Sequence, residues 1–419
     1  MKVLMLGWEL PPHNSGGLGV ACVNLARELA SEGAEIDFVV PYTAPHEQIS
    51  FMNVLSATEL DPLFRYGMGA YDSEFVERSL VQNSSLASGT SHSHNLPRKQ
   101  MTIREIQHDY CDFVNKYLME FKPDVVHAHD WLTFEAGMLA KKNYGIPLIA
   151  HVHATEFDRS GGHDGNPVVA AIEREGLLLA DKVIAVSNAT KDLIVKKYHI
   201  PADKIDVVYN SLDERFINKV YQYDSDDYKY LEQMKKLGYT IVSTVGRFTV
   251  QKGLTIMMQA AARAISKNPK LIFVFAGDGE QKNELLSLSA RYGISRNVVF
   301  TGFVRGKQLR DIYQVSDIFV MSSISEPFGL TALEAAHHGN VLILTKQSGV
   351  YEVIHSAMSY DFWDIEKLAD EIVAISKSRA LKNTLRKGAA QEYRKISWQK
   401  VAKKVQKIYN RLDKHKEYC

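Results

Sequence analysis

Two glutamates, Glu326 and Glu334, enclose the seven residues PFGLTAL in the second half of the chain. Pro327 is typical of the first position of a helix, and Gly329 permits close backbone approach. The free amides at a helix start carry about half a positive charge, which suits a diphosphate whose charge grows as a sugar departs. The pattern predicts a helix beginning at Pro327, with Glu326 just before it and Glu334 in its second turn. Either glutamate alone would be interpreted as a surface residue.

Two cations, Arg247 and Lys252, lie in the string TVGRFTVQKG, in which a strand end is followed by a loop and a helix starting at about Gly253. Positive charge accelerates the departure of a diphosphate because it stabilises charge that develops in the transition state. Arginine supplies a planar fork and lysine a point charge. The spacing therefore predicts a diphosphate clamp, although each cation alone would be interpreted as a surface residue.

Three glycines, Gly16, Gly17 and Gly19, follow the first apolar run in the string NSGGLGVA. We interpret this string as a loop between the first strand and the first helix. Glycines there permit a tight turn and let the backbone come close to an anion or a sugar. A glycine-rich turn alone is a weak signal, so its meaning depends on the elements around it.

Two histidine pairs, His127 with His129 and His151 with His153, occupy the ends of two predicted strands. The H-x-H alternation places each pair on one side of its strand, at the sheet edge where the sites of open α/β folds collect. Imidazoles in this arrangement suit a metal, but no cysteine or carboxylate with matching sequence spacing completes a ligand set. We expect His127 and His151 to be core residues and predict no metal site.

Two further strings contain residues of metal-binding type. His92 and His94 lie in the segment of about residues 80–99. This segment is rich in serine and has almost no apolar periodicity, which predicts a mobile surface loop. Asp224 and Asp226 form the common D-x-D triplet near the expected domain connection. Histidines in such loops are usually solvated and the triplet is frequent by chance, so neither string predicts a metal site.

The elements that must position these residues are short apolar runs separated by amphipathic stretches, such as VLMLG and AEIDFVV early in the chain and TIVSTVG and LIFVFAG later. This alternation indicates parallel sheets with crossover helices. Because 419 residues exceed one ordinary core, the predicted fold class is α/β, with two Rossmann-like doubly wound domains facing a cleft. Expected bounds are 1–208 and 209–394, followed by a helix over 395–419 that packs back on the N-terminal domain.

Composition excludes several classes of protein. Lys and Arg total 50 against 49 Asp and Glu, a formal charge of +1, so no global field recruits nucleic acid or an anionic membrane. Cys22, Cys111 and Cys419 are widely separated and show no disulfide framework, which fits a reducing cytosol. The first apolar run ends at Gly7, too short for a signal peptide or a membrane span, and no basic amphipathic helix stands out as an anchor. We therefore expect a cytoplasmic protein without a transmembrane segment.

The strings SEPFGLTALEA and GRFTVQKG together resemble the retaining GT-B glycosyltransferases, particularly family 4, group 1, and the related bacterial and archaeal glycogen and starch synthases. The resemblance extends over nearly the whole chain. It implies that Glu326 bonds hydroxyls of the transferred sugar, that Glu334 holds the ribose, and that backbone amides around Gly329 and Leu330 touch the donor.

The resemblance implies roles for five further residues. It places His153 near the transferred sugar, and Asp130 and Trp131 on the acceptor side. Ser348 and Gly349 stand where the family often has two glycines that approach the donor.

The sequence departs from the family in two places, and the role of one further residue, Arg159, is open to two interpretations. Residues 13–15 stand where glycogen synthases usually have a lysine before the glycines, and Asn210 with Ser211 replaces the usual Asn-Gly. Arg159, close to Glu156 and Asp158, serves either the site or a local ion-pair network.

The implied function is transfer of a hexosyl unit, with glucose expected, from ADP-glucose or UDP-glucose to a hydroxyl of an α-glucan, with the anomeric configuration kept. The helix start, Arg247 and Lys252 supply the positive charge, so we expect no cofactor and no metal requirement and name no catalytic base. Alternatives are a family 4 transferase with a lipid, small-sugar or cell-surface polysaccharide acceptor, a nucleotide-sugar 2-epimerase, and a non-catalytic nucleotide-sugar-binding module. Donor binding is expected to draw the domains together.

Overall fold

The computed structural model describes residues 1–12, 16–59, 102–212 and 228–414. Within these ranges the strands form two sheets, one of seven strands and one of six, and neighbouring strands in each sheet run parallel. This is the pair of doubly wound units that the alternating apolar runs predict. The predicted fold class is therefore confirmed.

The first sheet has the order β3-β2-β1-β4-β5-β6-β7. The order reverses between β1 and β4, so the loops after these strands turn to opposite faces and leave a crevice at the carboxyl edge of the sheet. The strands are β1 Lys2–Leu6, β2 Glu35–Val40, β3 Asn53–Ser56, β4 Val125–His129, β5 Leu148–Val152, β6 Lys182–Ala185 and β7 Ile205–Val207.

Several helices of this first unit start with local capping signals. Thr102 and Glu105 form a capping box, and Asn166 accepts backbone N–H bonds ahead of Pro167 at the first helical position. The helices are α1 Gly17–Ser31, α2 Ile103–Glu120, α3 Trp131–Tyr144, α4 Glu156–Arg159, α5 Pro167–Leu179 and α6 Asn188–Leu193.

The second sheet repeats the same arrangement, with the order β10-β9-β8-β11-β12-β13 and a reversal between β8 and β11. Every residue of β9 and β12 is buried, because helices cover both faces of a parallel sheet. The strands are β8 Thr240–Val245, β9 Leu271–Ala276, β10 Val298–Gly302, β11 Ile318–Met321, β12 Val341–Thr345 and β13 Met358–Tyr360.

Seven helices accompany the second sheet within the described ranges. They are α7 Lys229–Lys236, α8 Leu254–Lys267, α9 Lys282–Arg291, α10 Lys307–Val315, α11 Leu330–His337, α12 Ile365–Lys377 and α13 Arg379–Tyr393. Across the part of the chain that the structure describes, no helix combines the length and the apolar character needed to cross a bilayer.

A last helix, α14 Trp398–Lys414, returns to the first unit. Its apolar face carries Trp398, Val401, Val405 and Tyr409 at helical spacing, and all four are buried in the core of the first sheet and its helices. The hydroxyl of Tyr409 lies 2.7 Å from Nδ1 of His127 on β4. The first core is therefore built from residues at both ends of the described chain.

The two units touch through loops at the carboxyl edges of their sheets. Ser325, after β11, donates its hydroxyl hydrogen bond to Asp158 at 2.5 Å. Glu352, after β12, accepts the backbone N–H bonds of Asn188 and Ala189, both at 2.8 Å. The crevices of the two sheets consequently face one another.

Candidate active site

The predicted donor residues meet at the crevice of the second sheet. Lys252 follows β8 and Glu326 follows β11, the two strands at which the sheet order reverses. Ligands of open parallel sheets bind outside the carboxyl ends of the strands at such a reversal. The cleft there is lined by Gly246, Lys252, Ser322, Ser323, Glu326 and Thr331, among others.

Lys252 and Glu326 are in direct contact. The Lys252 Nζ atom lies 2.6 Å from Glu326 Oε2, and the Ser323 hydroxyl donates to the same oxygen at 2.9 Å. The lysine side chain is 24% exposed and the glutamate side chain 12%, so solvent screens this pair less than a surface ion pair. A predicted diphosphate-binding cation and a predicted sugar-binding carboxylate thus form one charge-neutral unit.

The helix after Glu326 begins later than the sequence predicted. Helix α11 starts at Leu330, with Gly329 before it at φ +106°, so the prediction that it begins at Pro327 is wrong. Glu326 belongs instead to an extended segment whose backbone N–H donates to Gln347 O at 3.1 Å. The positive helix start lies at Gly329 and Leu330, the residues that the resemblance assigned to the donor.

Glu334 lies in the second turn of α11 and is half-buried. The Tyr313 hydroxyl donates to one of its carboxylate oxygens at 2.8 Å. Burial raises the pKa of Glu334 to about 7, and the Tyr313 bond opposes that rise. Glu334 is therefore not a freely solvated surface residue, and its charge changes close to neutral pH.

The loop that carries Arg247 depends on two further glycines, Gly277 and Gly279, beyond those predicted for the site. Arg247 is exposed, directly after Gly246. Gly277 and Gly279, which follow β9, have φ of +144° and +155°, and a side chain there would meet Gly246 O at 1.9 Å or Phe248 O at 2.6 Å. The string AGDG at a strand exit could have indicated this close backbone approach.

Ser348 and Gly349 lie where the two units touch. A side chain at position 349 would lie 2.2 Å from Pro327 O and 2.6 Å from Ser187 Cβ, so only glycine fits. The Gly349 N–H donates to Glu326 O at 2.9 Å. The buried Ser348 hydroxyl donates to the carbonyl that ends β12, at 2.7 Å. Gly349 thus holds the glutamate segment against the first unit.

The glycines of the first unit form a helix start. Gly16 precedes α1, while Gly17 and Gly19 lie inside its first turn, so the prediction of a loop across all three is wrong. A side chain at 16 would meet Glu9 Oε2 at 2.3 Å, whereas one at 17 would meet nothing within 4 Å. Gly16 therefore makes room for the Glu9 carboxylate, which is buried at 2% exposure.

His153 is held from two sides at the exit of β5. Its backbone N–H donates to Asp130 Oδ1 at 2.6 Å, and its Nε2 lies 3.0 Å from His129 Nδ1. Asp130 has φ +60° and ψ 171°, a backbone conformation that is almost exclusive to glycine and costs another residue about 1–3 kcal/mol. Burial raises the pKa of Asp130 to about 7, and the nearby Arg159 guanidinium only partly opposes this rise. The strained Asp130 thus fixes the position of His153.

The side chains predicted for the acceptor side lie inside the fold. Asp130 is 2% exposed and Trp131 is 5% exposed, so neither reaches the cleft surface in this conformation, and an acceptor role for them stays a prediction. His127 and His151 are buried, as expected for core residues. Burial lowers the pKa of His127 to about 3, so this imidazole is neutral.

Arg159 takes part in a local ion-pair network. Its guanidinium donates to Glu156 at 3.1 Å and to Ala154 O at 3.0 Å, and it also pairs with Glu173. Its side chain is 7% exposed. The structure thus shows the local network that the sequence left open. Asn210 and Ser211, which replace the usual Asn-Gly, are both buried.

Three sequence predictions fall outside the described residues. These concern residues 13–15, where the family usually has a lysine, the 80–99 segment with His92 and His94, and the triplet with Asp224 and Asp226.

Known proteins resemble this chain over both units. The family profile of glycosyl transferases group 1 matches residues 231–392, and that of glycosyltransferase family 4 matches residues 87–216. An uncharacterized glycosyltransferase of Methanocaldococcus jannaschii is 29% identical over 427 residues, covering 98% of each chain. A glycogen synthase of Mycobacterium tuberculosis is 25% identical over 425 residues, covering 98% of this chain and 94% of that protein.

Solved structures share the architecture. The sucrose-phosphate synthase of Thermosynechococcus elongatus superposes with a TM-score of 0.74 at 17% identity, covering 98% of both chains. Anabaena Alr3699/HepE, in complex with UDP and glucose, gives 0.68 at 17% identity, covering 98% of this chain and 99% of that one. Two parallel-sheet units facing a cleft are the GT-B fold of glycosyltransferases. The chain belongs to family 4, group 1 of these enzymes.

Proposed function

We propose that this glycosyltransferase moves a hexosyl unit, with glucose as the expected sugar, from a nucleotide diphosphate sugar to a hydroxyl acceptor and keeps the anomeric configuration. The observation that carries the proposal is the 2.6 Å contact between Lys252 and Glu326 beside the start of α11. A departing diphosphate needs a cation and a helix start, and its sugar needs a hydrogen-bond acceptor. UDP-glucose and UDP complexes of Alr3699/HepE support a nucleotide sugar as donor.

In the proposed mechanism, Lys252 and Arg247 bind the diphosphate while Glu326 accepts hydrogen bonds from sugar hydroxyls. Both cations then stabilise the negative charge that grows as the bond between the anomeric carbon and the phosphate oxygen breaks. The acceptor oxygen attacks from the same face, and its proton passes to the leaving phosphate oxygen. No side chain has to act as a base, and the charge stabilisation requires no metal ion.

We propose an α-glucan chain end as the acceptor. The support is the likeness to a mycobacterial glycogen synthase over 98% of this chain. A small phosphorylated sugar is the second candidate, because the alpha-maltose-1-phosphate synthase of Mycolicibacterium smegmatis is 28% identical over 311 residues, covering 69% of this chain and 79% of that protein.

The cytosolic location expected from the cysteines stays a prediction.

The decisive experiment offers the full chain three radiolabelled donors, ADP-glucose, UDP-glucose and GDP-mannose, each with glycogen, with glucose 1-phosphate, or without acceptor. Labelled polymer supports the α-glucan, and a labelled disaccharide phosphate supports the second acceptor. Isomerised nucleotide sugar would indicate a 2-epimerase instead. Binding without turnover would indicate a non-catalytic module.

The variants Glu326→Ala and Lys252→Ala test the site itself. The matched controls are Glu366→Ala and Lys267→Ala, because Lys267 and Glu366 form an exposed pair at 3.2 Å elsewhere in the same unit. We expect turnover to fall sharply in the first two variants and to persist in the controls. If both site variants kept full turnover with every donor, the assignment would fail.

A further inference from the structure

A cluster of metal-type ligands lies at the carboxyl edge of the first sheet. The rings of His127 and His129 on β4 stack at 4.4 Å, and those of His151 and His153 at the end of β5 stack at 4.2 Å. Cys22 of α1 reaches the same cluster, because ligand atoms of Cys22, His129 and His153 all lie within 4.8 Å of one another. The thiol comes from an element more than 100 residues earlier in the chain, so sequence spacing could not reveal it.

Two imidazole nitrogens of this cluster, Nε2 of His129 and Nε2 of His151, have no hydrogen-bond partner among the described residues, and the first belongs to the set with Cys22. His129 uses Nδ1 in its 3.0 Å contact with His153 Nε2, while its Nε2 is buried and unbonded. A buried N–H without a partner costs about 1–3 kcal/mol, so the favoured tautomer donates from Nδ1 and leaves Nε2 as a bare lone pair. Such a lone pair on a neutral imidazole is a metal-ligand atom.

Two buried carboxyl groups lie near the Cys22 thiol. Glu9 and Asp130 are each 2% exposed. Both carboxyl groups are close enough to the Cys22 sulfur to interact with it electrostatically and, when ionised, they give its surroundings negative charge. Arg159 offsets part of this charge near Asp130. A cation bound at the thiol would be attracted by both carboxylates.

We propose that Cys22, His129 and His153 bind a divalent cation of the zinc class, and that its binding inhibits glycosyl transfer. Zinc prefers tetrahedral sets of thiolate and imidazole ligands, whose donor atoms lie about 3.4–3.7 Å apart. The three ligand atoms lie within 4.8 Å of one another, so binding an ion requires them to approach by about 1 Å. The thiol proton passes to solvent when the sulfur binds the ion. Inhibition follows because the ion holds His153, which the family resemblance places near the transferred sugar, and the inhibition alone rests on the proposed function.

A cobalt titration tests the ligand set without any activity measurement. The full chain carries Cys419→Ala, which leaves Cys22 and Cys111 as its two thiols. We expect one Co²⁺ per chain and a sulfur-to-cobalt charge-transfer band. Cys22→Ser should lose the band and bind more than about 100-fold more weakly, since loss of an outer-shell partner alone costs about 10–100-fold.

Two further variants keep the titration decisive. Cys111→Ser, which changes the other remaining thiol, a half-buried one, should keep both the band and the affinity. His129→Gln should weaken cobalt binding even if Cys22→Ser proves unstable in a thermal melt. A band that persists in Cys22→Ser overturns the proposal. So does a complex without a sulfur band, which would place the ion on His127, His129 and His151, whose ligand atoms also lie within 4.8 Å.

Inhibition has its own readout. Zinc should inhibit transfer over the same concentrations at which it displaces cobalt, a chelator should restore the rate, and Cys22→Ser should resist zinc. If zinc binds without slowing glycosyl transfer, the proposed inhibition is overturned. If no donor supports transfer, the proposed function fails, whereas the cobalt titration still decides the ligand set.

Discussion

The contact between Lys252 and Glu326 leads to a quantitative prediction about catalysis. Lys252→Ala removes one preorganised cation from the departing diphosphate. Loss of one such charge-stabilising group typically lowers kcat by about 100- to 1000-fold, which corresponds to about 2.7–4 kcal/mol of transition-state stabilisation. Glu326→Ala removes the carboxylate that we propose orients the sugar, and we expect a loss of similar size.

The cost to folding should be much smaller. In Lys252→Ala the Glu326 carboxylate keeps its 2.9 Å bond from Ser323, and at 12% exposure it keeps some contact with water. We therefore expect destabilisation of about 1 kcal/mol, between the values for exposed and fully buried pairs. For a unit of this size that lowers the melting temperature by about 2–4 °C. Activity should thus fall far more than stability.

The assay measures kcat and KM for the wild type, both single variants and the double variant at saturating donor. Because the two groups act on one transition state, the double variant should be no more than a few-fold slower than the slower single variant. Lys267→Ala and Glu366→Ala, which break an exposed pair in the same unit, should keep kcat within about twofold. Full additivity of the two single losses would refute the reasoning.

Three further predictions concern Glu334, which is expected to hold the ribose, and the contact between the units. Because the pKa of Glu334 is raised to about 7, its ionised fraction grows between pH 6 and 8, so calorimetry should show nucleotide diphosphate binding up to about tenfold tighter at pH 8. Gly349→Ala places a methyl group 2.2 Å from Pro327 O, so thermal melts should show a loss of about 1–3 kcal/mol. Glu352→Ala removes the acceptor of backbone N–H bonds from Asn188 and its neighbour, so X-ray scattering should show a more open chain and the donor KM should rise about tenfold.

Each of these predictions has a control and a contrary outcome. Glu334→Gln cannot titrate, so an unchanged pH dependence in that variant would contradict the role given to Glu334. Gly17→Ala adds its methyl group where nothing lies within 4 Å, so an equal loss of stability there would contradict the steric argument for Gly349. For Glu352→Ala, an unchanged radius of gyration would show that the bond does not hold the units together.

The sequence could predict features that follow from local periodicity. The run LIFVFA of β9 is apolar throughout, as a doubly covered parallel strand requires, and Lys252 and Glu326 stand just after strand exits. That these two side chains touch at 2.6 Å depends on the strand order, with β8 beside β11, which no local pattern encodes.

The start of α11 shows how tertiary packing overrides a local preference. Pro327 favours a first helical position, but Gly329 takes a left-handed φ, and a side chain there would lie 2.8 Å from Met321 Cε. The chain therefore turns once more before the helix begins at Leu330. The nearness of Cys22 to the histidines was equally hidden, because a thiol on a neighbouring helix leaves no trace in their spacing.

Helix α14 has a consequence for synthesis. Its buried residues complete the core of a sheet whose first strand starts at Lys2, so the ribosome must release segment 398–412 before that core can close. The second unit, whose strands lie between Thr240 and Tyr360, can be complete while the first still exposes an apolar face. For this enzyme, the unit translated first is thus the unit finished last. A ribosome stalled before Trp398 would present a nascent chain that chaperones bind at its leading half.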